Sequence, residues 1–504
     1  MFHRLIQFCS LALLAGGVCS TLHAEPWSTT GDVLLRHKLQ LLKDEGLVDG
    51  LVMTWPYNYG DLYNSLRSAE SIDSDYSFLA DALTLELMKE SELYVSDYSL
   101  FAYGGTESQP LRTFSSQNRG SYGAGFITSQ MGEAYAYRIK GSYVHDRIDS
   151  QEYRLDGSYL AYALGNWSFS VDKIDRWWGP GWEGSLILSN NARPVPAVSI
   201  TRNVSYPSEL PVLSWLGPWT ATTFMGQMES DRAVPNPYLW GFRFEFSPFS
   251  WLELGVSRTA QWAGDGRPGG IGDFWNVIIG NDNNDESLSV TEEPGNQLAG
   301  FDARIKPLKS VPVAFYGQAI GEDAGGFMPT KYMFLGGMDV WGITPWDSQT
   351  TWRAHVEWSD TAARYHLDGS AYSDDEVEFD LDGYAYSHHI YRSGYRYRGL
   401  SLGHSMDGDG EMLSFGGLLS DSRDRYVGFL LRRSRINRFD ASKYEGRHSV
   451  SYDRTSIDSV KFYGGFEVFN LNFSWSLVYY DYSDYELLNI DEDLMASIAI
   501  SFEL

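Results

Sequence analysis

The feature that most constrains this chain is a two-residue apolar alternation that recurs along most of its length. It never lengthens into a stretch that could cross a membrane as a helix. The clearest case is Phe469, Leu471, Phe473, Trp475, Leu477 and Tyr479, interleaved with Asn470, Asn472, Ser474 and Ser476 before Val478 breaks the pattern. In a strand these apolar residues share one face. The same period appears at Tyr135, Tyr137 and Ile139, at Trp167, Phe169 and Val171, and at Phe242, Phe244 and Phe246. After residue 24 there is no run of 18 apolar residues, the length a helical span needs.

A soluble sandwich would alternate in the same way, so three further observations decide between the two. Aromatic residues make up 15% of the chain, although mean hydropathy is only −0.30, and the rings are spread across nearly every candidate strand, often near its ends, as interfacial girdles require. The alternating partners are small or charged (Asn470, Asn472, Ser474, Arg138, Lys140, Arg243, Glu245), which suits a polar lumen better than a dry second sheet. Finally, Leu494, Ala496, Ile498, Ile500, Phe502 and Leu504 carry the alternation to the last residue. The expected fold is mainly β: a transmembrane antiparallel β-barrel. At roughly 23 residues per strand and connection it would have about 18 strands, an even number if both chain ends lie on the periplasmic side. Gly264 to Gly272 and Gly280 to Gly295 lack alternation and read as long external loops.

Residues 1–24 read as a secretory signal peptide. His3 and Arg4 precede an apolar run from Leu5 to Cys19, with cleavage expected between Ala24 and Glu25. Both cysteines, Cys9 and Cys19, lie inside that peptide, so the exported chain would have no thiol for a disulfide, a zinc site or a nucleophile. Residues 25–91 are expected to form a small helical bundle that packs on something larger, and residues 92–504 the barrel. In the bundle, Leu35, Leu39 and Leu42 precede a candidate C-cap at Gly46, Asp61 to Leu66 form a short second helix, and Ser74 is a candidate N-cap for a third. That third helix would place Phe78, Ala82 and Leu85 beside Leu79, Leu83 and Leu87.

The formal charge of −27 excludes a nucleic-acid partner, since no basic stripe exists to neutralise phosphates. No nucleophile elbow is present, and His388-His389 sits among tyrosines rather than beside a candidate nucleophile. No enzyme is therefore expected, and no cofactor. Asp282 to Glu286 and Asp407-Gly408-Asp409-Gly410-Glu411 have oxygen ligands but not the spacing of a calcium loop. They read as solvated acidic loops, and no metal is expected.

The most distinctive stretch runs from Arg176 to Pro196. It contains Trp177, Trp178 and Trp182, the amides of Asn190 and Asn191, and the guanidinium groups of Arg176 and Arg193. Flat apolar rings stack on sugars, while amides and guanidinium groups bond hydroxyls or pair with uronic carboxylates. These seven residues are the candidate polysaccharide site. The same stretch also reads as a structural loop folded into the lumen, its arginines satisfied by barrel carboxylates.

Together with Leu35-Arg36-His37 through Gly46 and Thr54-Trp55-Pro56 through Asp61-Leu62, the segment Trp177 to Pro196 resembles the capsule assembly Wzi family. The resemblance implies an outer-membrane barrel with a helical bundle at its periplasmic mouth. It implies a lectin that helps hold capsular or exopolysaccharide at the cell surface rather than an open pore. The partners expected are surface polysaccharide, outer-membrane lipid and lipopolysaccharide, with the chain a monomer. A porin-like channel for oligosaccharides is the alternative, and a barrel hydrolase a third reading. Because carboxylates repel an anionic polymer, Arg176, Arg193, Arg432, Arg433 and Arg435 are expected to cluster in the lumen or at the outer rim.

Overall fold

A computed structural model describes residues 25–69, 74–90, 92–106, 108–116, 118–146, 148–279, 295–325, 328–372, 383–439, 448–482 and 492–504. The signal-peptide reading, the acidic run Asp282 to Glu286 and most of the Gly280 to Gly295 loop lie outside the described residues.

Among the described residues three helices come first: α1 (Val33–Asp44), α2 (Tyr59–Ala69) and α3 (Ser77–Glu90). Strands β1 (Ser96–Gly105), β2 (Tyr122–Met131), β3 (Tyr135–His145), β4 (Tyr159–Leu164), β5 (Trp167–Asp172) and β6 (Ala197–Arg202) follow. Next are β7 (Trp219–Gln227), β8 (Tyr238–Phe249), β9 (Leu252–Trp262), helix α4 (Ile271–Ile279), β10 (Gly295–Ile305), β11 (Val313–Gly325) and β12 (Met328–Thr344). The chain finishes with β13 (Asp347–Tyr365), β14 (Glu411–Ser420), β15 (Tyr426–Ile436), β16 (Thr455–Val468), β17 (Leu471–Tyr482) and β18 (Leu494–Glu503). Each strand pairs antiparallel with its predecessor, and β18 returns to β1, from Ser99 opposite Glu503 to Gly105 opposite Ser497. The result is a closed antiparallel barrel of 18 strands. Closure leaves no sheet edge, which a chain in lipid requires, because hydrocarbon cannot hydrogen-bond a free peptide group.

The alternation sorts as expected. Trp475, Leu477 and Tyr479 face outward and are exposed, as are Leu160, Tyr162, Trp167, Phe169 and Val171. Val478, which broke the sequence pattern, points inward with Tyr480, and both are buried. Phe469 was read as the first residue of that strand but belongs to the turn: Phe469 and Asn470 both have positive φ (51° and 60°) between Val468 and Leu471. Two positive φ values make the tight turn whose twist matches the flanking strands.

The interior is filled. One large cluster of buried apolar side chains joins Trp178, Trp182, Leu186 and Ile187 to Tyr316, Leu335, Tyr386 and Tyr395. Another joins Leu39, Leu42, Trp55 and Phe114 to Trp177 and Trp341. Helix α1 starts where the Asp32 side chain accepts from Leu35 N–H (2.9 Å) and ends before Gly46, whose φ of 74° suits glycine. Nearly all its residues are buried, charged ones included, because α1 lies inside the barrel. In α3, Leu79, Leu83 and Leu87 are buried while Ala82 and Leu85 remain exposed. The stretch read as the Gly264 to Gly272 loop contains the start of α4, where the Asp273 carboxylate accepts from Gly270 N–H (2.8 Å).

Candidate functional site

The segment between β5 and β6 turns into the lumen instead of standing above it, and its shape follows from what the barrel wall offers its backbone. Trp177 and Trp178 pair with Trp55 and Thr54 as a two-residue antiparallel ladder, so the two tryptophan-bearing motifs of the sequence meet inside the barrel. The Glu357 carboxylate, on β13, accepts from three successive backbone N–H groups: Trp182 (2.7 Å), Glu183 (3.1 Å) and Gly184 (2.9 Å). It also accepts from the Tyr316 hydroxyl (3.0 Å). Consecutive N–H groups converging on one anion form a backbone nest. Gln318, on β11, accepts from Leu186 N–H (2.7 Å) and donates to the Trp178 carbonyl (2.8 Å).

Other wall carboxylates hold other inserted segments in the same way. Glu253 accepts from Val52 N–H (2.6 Å), Glu245 from Met53 N–H (3.1 Å), and Glu322 from Tyr386 N–H (2.7 Å). The C-terminal end of α1 is held by charge: Asp44 pairs with Arg304 and Arg353 (both 2.9 Å), and Asp339 pairs with the same two arginines (3.0 and 2.5 Å). Part of the acidity that gives the chain its −27 is thus turned inward, where ionised groups need partners.

The seven candidate binding residues all lie buried within the inserted segment. Each has 7% or less of its surface exposed. Trp177 meets Phe114 edge-on at 5.4 Å, and Trp178 meets Phe224 at 5.7 Å. Trp182 is stacked on His355 at 5.7 Å, and the Arg36 guanidinium sits 4.3 Å from its ring. Asn190 donates to the Phe114 carbonyl (3.0 Å) and Asn191 to the Ser401 carbonyl (2.9 Å). Arg176 pairs with Asp172 (2.7 Å), and Arg193 with Asp149 and Asp156. In this arrangement all seven side chains are engaged in contacts within the plug.

The five arginines do not cluster. Arg176 and Arg193 are buried in the plug and Arg432 faces the lumen, donating to the Leu111 carbonyl (3.0 Å). Arg433 and Arg435 point outward from the same strand, paired with Asp458 (2.9 Å) and Glu411 (3.3 Å). Alternation along β15 sends neighbouring residues to opposite faces, which is why one short run of sequence cannot gather them.

The Asp407 to Glu411 run also departs from expectation, because it is buried rather than solvated. Asp407 pairs with Arg396 (2.6 Å). Burial pushes its carboxyl up, but Arg396 and Ser449 more than offset this and hold it below the usual carboxylate range. At Asp409 burial wins and pushes the carboxyl up to about 7, although Gly383 N–H donates to it at 2.6 Å. His404, in the same loop, accepts at Nδ1 from Met406 N–H (3.2 Å), so its Nε2–H donates to Ser359 (3.2 Å). Burial, aided by Arg432, lowers its pKa to about 3. The ring lies against Gly184, where a Cβ would come within 2.1 Å of Nε2. Only glycine lets the two inserted loops meet.

The tip of the 383–410 segment remains exposed at the outer mouth. His389 and Arg392 stand at the tip of the 383–410 segment, with the His388 and His389 rings stacked at 4.6 Å. Ser393 accepts from Ala233 N–H (2.9 Å) and so ties that tip to the neighbouring 228–237 loop. Sequence reasoning named Glu245 only as a lumen-facing charge and did not anticipate Glu357, Gln318, Glu322 or Glu253. Their one signal was an acid or amide at an inward register position of a strand.

A family model described as capsule assembly protein Wzi matches residues 112–470. A Klebsiella pneumoniae relative, an "uncharacterized 55.8 kDa protein in cps region", is 35% identical over 331 residues, 64% of this chain and 64% of that protein. The match thus spans less than two-thirds of that relative's length. Among solved structures, Escherichia coli Wzi is described as an outer membrane protein involved in group 1 capsule assembly and a carbohydrate binding beta-barrel. It superposes with a TM-score of 0.79 at 27% identity, over 94% of this chain and 98% of that one. Pseudomonas aeruginosa OccD3 aligns at a TM-score of 0.40 and 11% identity, over 82% of this chain and 92% of that one, too low a likeness to bear on function.

Proposed function

The chain belongs to the capsule assembly Wzi family, and from that premise we propose that it is a lectin-like protein of the outer membrane that attaches or organises capsular or exopolysaccharide at the cell surface. It acts by binding, without chemistry. The observation that carries this reading is the filled lumen, with loops 173–196 and 383–410 and helix α1 each fixed to the wall by carboxylates. A plug anchored in this way gives a stiff outer floor, and among the described residues it fills the lumen rather than leaving a channel.

The polymer rests on the outer mouth, where His389 and Arg392 are exposed beside the 228–237 loop. The seven residues from Arg176 to Arg193 hold that floor in place from beneath. Affinity comes from weak contacts repeated along a polymer. The outer membrane supplies the remaining partners, phospholipid and lipopolysaccharide, and the working unit is a monomer.

The test is retention of purified protein on immobilised capsular polysaccharide. The intact protein should be retained, and the double variant His389→Ala, Arg392→Ala should be retained several-fold less. An intact, folded protein that passes through unretained would overturn the proposal.

A further inference from the structure

Helix α4 does not sit over the mouth; it lies against the outside of the barrel. Phe274 packs on Trp240 (5.8 Å) and Trp262 (4.8 Å), and Val277 is fully buried beside Ala260 and Ala263. Trp240 belongs to the outward-facing row of β8 that continues through Phe242, Phe244 and Phe246. At the periplasmic end of that wall Phe249 and Trp251 are stacked at 5.2 Å. From Trp240 to Phe249 the tilted strand covers roughly 25 Å of height, the thickness of an apolar belt. Trp240 and Trp262 therefore mark the outer interface.

Just below them, Arg258 also faces outward, in register with Phe242. A guanidinium on the lipid face of a barrel is unfavourable unless covered. Here α4 covers it: Arg258 donates to the carbonyls of Ile278 (2.8 Å) and Val277 (3.0 Å) and to the Gln297 side chain (3.1 Å). These carbonyls belong to the last turn of the helix, whose dipole favours a cation. The opposite stripe of α4 stays bare, with Ile271 89% and Trp275 60% exposed. A helix apolar on both sides has no reason to face water.

We propose that α4 is an interfacial helix seated among the acyl chains of the outer leaflet, with Ile271 and Trp275 as its lipid contacts and Arg258 as the clasp that holds it to the wall. The occupant is lipid because the bare stripe continues the barrel's own lipid-facing surface at the height of its outer girdle.

Cys9 and Cys19 both lie before residue 25, so in protein lacking residues 1–24 Trp275→Cys gives a single site for a nitroxide label. In vesicles containing lipopolysaccharide and phospholipid, the label should collide more readily with dissolved oxygen than with a water-soluble nickel chelate. A label at Asp231, on an exposed outer loop, should show the reverse order. Adding Arg258→Leu should shift the Trp275 label toward the nickel chelate. A Trp275 label more accessible to nickel than to oxygen, in protein whose folding is verified by heat-modifiable mobility, would overturn the proposal. That outcome would leave the stripe to a protein or glycan partner.

Discussion

Glu357 shows how a single side chain can set the shape of a loop far away in sequence. Its carboxylate receives three backbone N–H groups and a tyrosine hydroxyl, all buried. Removing it strands those donors, at a cost on the order of 3 kcal/mol. Glu357→Ala should therefore abolish hydrogen-exchange protection at residues 182–184 while leaving strand amides protected. Asp409 gives a pH-dependent counterpart. Its carboxyl is raised from an ordinary value of 3.8 to about 7, so the fold favours the protonated form. Its stabilising contribution is fully present below about pH 4 and is lost as pH climbs through 7, amounting to about 4 kcal/mol. Asp409→Asn should make the 383–410 segment more resistant to proteolysis than wild type at pH 8 and no different at pH 4. Equal resistance at both pH values would contradict this.

Whole elements differ in how much of them could be read from the residues. The β17 alternation was legible because lipid on one side and a polar interior on the other enforce a strict period, and even Val478 fits once its inward position is seen. Helix α1 was legible from Leu35, Leu39, Leu42 and Gly46, but not its location, since the sequence around Asp44 carries no sign of Arg304 or Arg353. The tryptophan-rich segment was legible as special and ambiguous as to role. Rings, amides and guanidinium groups serve a sugar or a plug equally well, and the deciding partner, Glu357, lies more than 170 positions away. Helix α4 was missed because its two apolar stripes look like neither a core helix nor a strand. For α1 the expectation is concrete. Asp44→Ala leaves Arg304 and Arg353 sharing Asp339 alone, and breaking a buried set of this kind costs about 3–5 kcal/mol. Exchange protection across α1 should collapse, whereas Asp81→Ala, at an exposed position of α3, should change stability by less than about 0.5 kcal/mol.

At the scale of the molecule, the barrel and its contents form one object. The wall supplies closure and a lipid-facing surface, while its inward acids and arginines organise loops and a helix into a solid interior. Such a construction fits the proposed platform that presents a surface to a polymer. Electrical conductance of the intact protein in planar lipid bilayers addresses this account most directly. A filled lumen predicts no steady open level across the accessible voltage range, with unitary steps appearing only when an anchor such as Glu357 is removed. A stable unitary conductance from the intact, folded protein would mean that the interior passes ions, and the account of the barrel as a plugged platform would be wrong.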